Sequence, residues 1–481
     1  MYDPDANYFY ALISRRLGDF VDAKETLGWA ARSMKYRSSA YCELAEIYLM
    51  EGNFERADEY LRRSLDYDAH NIKTLEVLST LSRRTGKKEQ ARATLARILD
   101  IDPLSHLARF ETYLLQPDAS TLKNFRSMIR NEMPHESYLE IASYYVNLGL
   151  DEDALRLLEV APDQAEIRYW QAYLLRNKSP DESRKVLRTA ASLSPYLVFP
   201  FRQEAIPVFQ WADQALSGNW KAKYYLGLIE WGLRREDDAR KEFAAAGNLP
   251  DYAAFYASRA FLEQAADPAQ AQADFEKARA VDPKDWRNSK RLAAYYASRG
   301  MHDKALAVAE SASTQFPNED AIKVTLARAY MNSGHYRECH ATLEHATILP
   351  AEGQSDVYNL FADCQMALAL EAMKQNRYDL AVEHIEGSKV YPEHLGTGKP
   401  ADPDYRVQDC LLTICYQKTN QGAKADERKA AINDFASRNS RDGWDRLSPK
   451  LDAWYASSFL NSDPLTALKK LATAIRGSRA E

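Results

Sequence analysis

Glycine returns at a fixed interval in this chain. Gly18, Gly52 and Gly86 stand 34 residues apart, and Gly300 and Gly334 repeat the step. Five residues after each comes a small side chain, Ala23, Ala57, Ala91, Ala305 and Cys339. A unit of this length cannot bury an apolar face alone, so copies must stack and cover one another. Glycine followed by a small residue fits a helical hairpin: the glycine turns the corner, and the small side chain lets two helices cross closely. An array of such hairpins presents a long curved surface and contains no built-in chemistry, which points to a binding scaffold.

The composition agrees with one continuous array. The 481 residues, 46% of them hydrophobic, are too many for one compact core, yet no Pro/Gly/Ser-rich stretch separates globular domains. Aromatic residues make up 11%, with 29 tyrosines, enough apolar area to offset chain entropy, so order is expected throughout. The 63 basic and 69 acidic residues are evenly mixed for a net charge of −6, so no positive field exists to hold nucleic acid. Mean hydropathy is −0.52, and no apolar run reaches the roughly 18–20 residues of a membrane helix. The opening residues, Met1-Tyr2-Asp3-Pro4-Asp5, do not read as a secretory leader. Cys42, Cys339, Cys364, Cys410 and Cys415 are sparse and odd in number, unlike a disulfide framework. They read as reduced, partly buried thiols, which leans toward the cytoplasm, although a fragment of an exported protein fits as well.

Tyr41, Leu44, Ala45 and Tyr48 lie at i, i+3, i+4 and i+7, one face of a helix predicted over about residues 38–51. Gly52-Asn53 ends it, and Phe54, Ala57, Leu61 and Ser64 form the stripe of a second helix. The same template fits Leu326, Ala327, Tyr330, Gly334, Tyr336, Cys339, Leu343 and Ala346, and also Leu292, Ala293, Tyr296, Gly300, Ala305 and Ala312. Pro103 and Pro317 follow second helices, where a missing amide N–H stops the helix. On these residues the chain resembles the tetratricopeptide repeat family, most specifically over 4–103 and 286–351. The match is looser elsewhere. Gly149 and Ala154 mark a repeat out of phase, 220–249 keeps Gly227 and Ala239 but carries Arg234 at the turn, and Asn376 with Ala381 opens a degenerate pair.

The predicted fold is all-α: a right-handed α-solenoid of about twelve tetratricopeptide-like hairpins, ending in a helical cap with Trp444 and Trp454. A first arc is expected over 1–195, an aromatic and proline-rich break over 196–219, and a second arc over 220–390. A long loop over 391–406 and a degenerate hairpin with the cap over 407–481 complete it. Residues 204–207, 220–227 and 391–400 are also similar to the C-terminal repeat region of large bacterial proteins that carry a domain of unknown function ahead of the repeats. That resemblance implies a further domain ahead of this chain in its parent protein.

Two stretches break the period. Residues 196–211, with Tyr196, Phe199, Pro200, Phe201, Pro207, Phe209 and Trp211, either fill a packing gap where the superhelix changes direction or form an aromatic ligand platform. Residues 391–406, with Pro392, Gly396, Gly398, Pro400 and Pro403, are too long for a repeat turn and either fold back onto the groove or serve as a ligand loop.

Catalytic signals are weak. Gly396-Thr397-Gly398-Lys399 imitates part of a phosphate loop, but Glu393 stands where glycine is needed, Pro400 where a hydroxyl is needed, and no strand precedes it. His335, Cys339, His340 and His345 cluster in one hairpin; because Cys339 holds the close-packed position, its sulfur is expected between helices and not on a metal. No HExxH, CxxC or GxSxG occurs and no acid, base and nucleophile converge, so no enzymatic activity, cofactor or metal is expected. Charge runs such as Arg83-Arg84 and 234–238 read as solvated faces.

The candidate site is a set of cations that the repeat register leaves free of packing: Arg287, Lys290 and Arg291 in one repeat and Arg328 in the next. The family resemblance implies that such first-helix positions line the concave surface. Their grouping resembles the start of the carboxylate clamp of chaperone-binding members, although Ala294 stands where that clamp carries Asn. A groove for an acidic peptide or carboxylate follows, unless neighbouring Asp and Glu already neutralise the cations. The functional expectation is a non-catalytic scaffold for a protein or peptide, a missing domain of its own parent included. The alternative is the helical accessory region of a larger, carbohydrate-related bacterial enzyme whose catalytic domain lies outside this chain.

Overall fold

The computed structural model describes residues 3–351, 355–438 and 463–476; Trp444 and Trp454 lie outside them. The chain divides into two compact units, residues 1–250 and 251–481. In the first, helices pair as α1 (Pro4–Arg16) with α2 (Phe20–Ala30), α3 (Arg37–Met50) with α4 (Phe54–Tyr67), and α5 (Ile72–Arg84) with α6 (Lys88–Ile101). They continue as α7 (His106–Leu115) with α8 (Ala119–Met128), α9 (Pro134–Asn147) with α10 (Asp151–Glu159), and α11 (Ala165–Leu175) with α12 (Pro180–Ser192). A single helix, α13 (Ile206–Ala215), packs on α11 and on α14 (Trp220–Gly232), which pairs with α15 (Glu236–Ala246).

In the second unit α16 (Ala253–Glu263) pairs with α17 (Pro268–Val281), α18 (Trp286–Ser298) with α19 (His302–Gln315), and α20 (Asp320–Asn332) with α21 (Tyr336–Glu344). Then α22 (Asp356–Lys374) pairs with α23 (Tyr378–Gly387) and α24 (Arg406–Lys418) with α25 (Gly422–Arg438), while α26 (Pro464–Arg476) lies against α22 and α24. Among the described residues this makes twelve hairpins and no strand, an all-α solenoid.

The second hairpin shows why the chain folds this way. Gly52 turns the corner at φ +76, Asn53 accepts a hydrogen bond from the Arg56 N–H (3.1 Å) to cap α4, and Ala57, Leu61 and Ser64 are buried against α3. Ser64 sits where the neighbouring repeats allow little volume, and its hydroxyl bonds the Ser38 carbonyl and the Thr74 hydroxyl, both at 2.8 Å. In the degenerate repeats the same left-handed turn is made without glycine, by Arg234 (φ 62) and Asn376 (φ 57), at a steric cost that glycine avoids.

The break at 196–211 divides its aromatics. Phe209 is buried between Tyr169 and Tyr225, with ring centroids 5.3 Å from each, and Trp211 meets Tyr173 at 5.9 Å; Tyr196, Phe199 and Phe201 are exposed. All five cysteines are free and buried.

The run Arg83-Arg84 is not simply a solvated face. Arg83 is almost wholly buried and grips Glu111 with two hydrogen bonds (2.6 and 3.0 Å) and Asp153 at 2.8 Å. Glu111, fully buried, also accepts from the Thr80 and Tyr145 hydroxyls at 3.0 and 2.8 Å. On the helices before it, Arg15 bridges Glu43 and Glu46 and donates to the Asn147 carbonyl at 3.3 Å. In the first unit, then, the surface that α1, α3, α5, α7 and α9 turn toward one another is occupied by the chain's own side chains.

One buried carboxyl lacks such partners. Glu166 on α11 is fully buried and neither carboxyl oxygen has a hydrogen-bond partner among the described residues. Burial first, then the charge of Glu136, pushes its carboxyl up to about 8, against weaker pulls from the Arg202 charge and from the nearby Trp170 indole N–H, which completes no hydrogen bond among the described residues. The unfolded chain ionises near the ordinary value of about 4.3. The folded state therefore holds a proton that the unfolded state releases between those values, and stability falls as pH rises through that window. Glu166→Gln, which mimics the protonated acid, should abolish this slope. Thermal melts at pH 5, 7 and 8.5 should show the variant gaining on the parent as pH rises; a constant gap would mean Glu166 stays ionised when folded.

Candidate functional site

The first helices of the second unit leave open space beside them. A cavity of about 840 Å³ lies along α18 and α20, with a floor of small side chains, Ala293, Ala294, Ala297 and Ala321, and with Lys290 and Arg328 in its lining. A neighbouring cavity of about 550 Å³ on the other flank of α18 is lined by Phe261, Phe275, Trp286 and Tyr295 together with Arg287, Lys290 and Arg291. Lys290 and Ala294 line both cavities, so the two lie on either side of the same α18 ridge. The small floor follows from the sequence: alanines on the open side of both helices leave room that larger side chains would fill.

The wall opposite α18 is the segment Thr347-Ile348-Leu349. The Ile348 N–H donates to the His394 carbonyl at 2.7 Å, and the Thr347 N–H donates to Asp320 at 3.1 Å. The long loop therefore folds back behind this wall. Leu395 is buried with Tyr336, Leu343 and Phe361, and the Tyr391 ring stacks on Tyr358 at 3.9 Å. Gly396 is required there, because its φ is +68 and a Cβ would meet the Ile348 carbonyl oxygen at 2.6 Å.

The four cations differ in what holds them. Arg287 turns back to Asp285 (3.2 Å), the residue that caps α18, and its guanidinium covers Trp286 at 4.5 Å. Arg328 pairs with Asp356 at 2.6 Å. Lys290 lies 5.9 Å from the Trp286 ring, and Arg291 reaches only the Asn288 side-chain oxygen at 3.3 Å; neither has an acidic partner among the described residues. Lys290 and Arg328 share one cavity, and Arg287, Lys290 and Arg291 share the other. Sequence reading did not find Asp356, Trp286 or the 347–349 wall. Trp286 was within reach, one position before Arg287; Asp356 follows a connection that leaves the repeat register.

Of the histidine cluster, Cys339 is buried, and His340 meets the side-chain amide of Gln365 at 2.7 Å. Among the described residues no group of three or more His, Cys, Asp and Glu is placed to hold a metal, and no helix is long and apolar enough to cross a membrane.

Stacked helical hairpins with a groove along their first helices define a repeat-built α-solenoid of the interaction-scaffold kind. Residues 38–71 and 296–364 match the tetratricopeptide repeat family, so the chain carries tetratricopeptide repeats over those residues. No curated protein matches it. Among solved structures it is similar to a tetratricopeptide repeat protein from Parabacteroides merdae, with 16% identity, 58% of this chain and 98% of that one covered, and a TM-score of 0.28. It is similar to yeast Tom70, with 16% identity, 87% and 96% covered, and a TM-score of 0.25. It is also similar to a chain of Naa15/Naa10 bound to HypK-THB, with 13% identity, 98% and 100% covered, and a TM-score of 0.31.

Proposed function

We propose that the chain is a non-catalytic scaffold that takes a segment of a partner protein into the groove along α18 and α20, with an acidic side chain of that segment on Lys290 and Arg291. The observation that supports this most is an alanine-floored cavity of about 840 Å³ lined by Lys290, beside a second of about 550 Å³ lined by Lys290 and Arg291, two cations that no described carboxylate neutralises. Cavities of this size commonly bury a ligand's apolar body while a few polar groups fix its orientation. Arg287 and Arg328 are already paired, so they border the groove and contribute less than isolated cations would.

Random peptides displayed on phage and selected on the full chain supply a defined probe. Selected sequences should carry Asp or Glu next to an apolar residue. The double variant Lys290→Glu, Arg291→Glu should bind them at least about tenfold more weakly, a loss of about 1.4 kcal/mol, with an unchanged circular dichroism spectrum. Selected peptides without acidic residues, or undiminished binding by the double variant, would remove the reading.

A further inference from the structure

Helix α1 carries an apolar stripe that the described residues leave uncovered. Phe9, Ile13 and Leu17 follow one another at four-residue steps, with Tyr10 beside them and Val21 just past the turn, and all five are exposed. The repeat register shows how unusual this is. Ile13 is 59% exposed, whereas Ile47 and Leu81, at the same place in the next two repeats, are 0% and 2% exposed; Phe9 is 57% exposed and Val77 is 0%. In those repeats the preceding second helix, α2 or α4, packs on the first helix. A stacked hairpin would thus cover positions 9, 10 and 13.

It would not account for Leu17 and Val21. At those places the next two repeats carry Glu51 and Thr85, and Glu55 and Glu89, all exposed although a hairpin precedes them. Apolar residues at positions that stacking leaves in water mark a wider contact surface.

We propose that this stripe is the interface of a homodimer in which α1 packs antiparallel on α1 of a second copy about a two-fold axis. The spacing is self-complementary: with Ile13 on the axis against Ile13 of the second copy, Phe9 falls opposite Leu17 of the second copy, and the helix dipoles oppose one another. The Tyr10 hydroxyl donates to Asp22 at 3.2 Å, which holds that ring beside the first turn of α2 with Val21, and Phe9 and Tyr36 meet edge to face with ring centroids 6.5 Å apart. Five side chains from each copy make an interface at the small end of the range, under about 1,200 Å², so association is weak and follows concentration.

Sedimentation velocity of the full chain from low to high micromolar concentration tests this. The parent should shift from monomer toward dimer. Ile13→Glu and Val21→Glu, both at exposed sites, should weaken dimerisation at least about tenfold while keeping the parent's melting curve. Ile13→Cys should cross-link to itself under mild oxidation much faster than Leu104→Cys, an exposed control elsewhere, and the buried native cysteines do not compete. A monomer at every concentration, a dimer that both glutamate variants leave intact, or equal cross-linking at positions 13 and 104 would overturn the proposal. So would a monomeric chain that gains thermal stability when a further hairpin is fused ahead of α1, which would instead assign the stripe to a stacked repeat.

Discussion

Replacing Glu111 by alanine should lower the unfolding free energy of the first unit by about 3–5 kcal/mol, the usual cost of leaving a buried charge without its partner. Glu111 is fully buried and accepts four hydrogen bonds, two from Arg83 and one each from Thr80 and Tyr145. Without it Arg83 keeps Asp153 as its one acidic partner and two hydroxyls lose their acceptor. The arrangement joins α5, α7 and α9, so the loss should also appear as faster amide exchange across those three helices. Urea unfolding followed by circular dichroism measures the effect. A loss below about 1 kcal/mol, the value of an exposed ion pair, would mean that water reaches the group and that the helices do not close over it.

Gly227→Ala should destabilise the chain although alanine is the better helix former. A Cβ at position 227 would lie 2.4 Å from Cε1 and 2.7 Å from Cδ1 of Phe243, a ring that is itself fully buried between α14 and α15. Helix propensity favours alanine by about 1 kcal/mol; overpacking a tight crossing costs about 1–3 kcal/mol, and at a separation so far inside contact distance the steric cost wins. Thermal melts of Gly227→Ala should fall below the parent, and adding Phe243→Leu should recover part of the loss. A rise in melting temperature for the single variant would mean that the ring moves aside freely.

The helices and their pairing could be read from the chain because their causes are local. A residue that tolerates the left-handed turn, a small residue five positions on and apolar residues at helical spacing act within one 34-residue unit, and each unit repeats the solution. Even the degenerate hairpins follow it, Arg234 and Asn376 making the turn that glycine makes elsewhere. The position of Cys339 between helices was legible on the same grounds.

Electrostatic partnerships were not legible. Arg83 looks like part of a solvated charge run, yet its partners Glu111 and Asp153 lie 28 and 70 residues downstream, on α7 and α10, and meet it because successive hairpins stack. Arg328 and Asp356 are joined across a connection that departs from the repeat, whereas Lys290, on the neighbouring helix, has no described acid beside it. The same holds for the groove wall, which depends on a backbone hydrogen bond from Ile348 to His394 and on the fit of Gly396. Turn and helix preferences are short-range and survive in the bare order of residues. Which charges are neutralised, and which side of a helix stays open, depends on how neighbouring hairpins stack, and charge type alone carries no record of that.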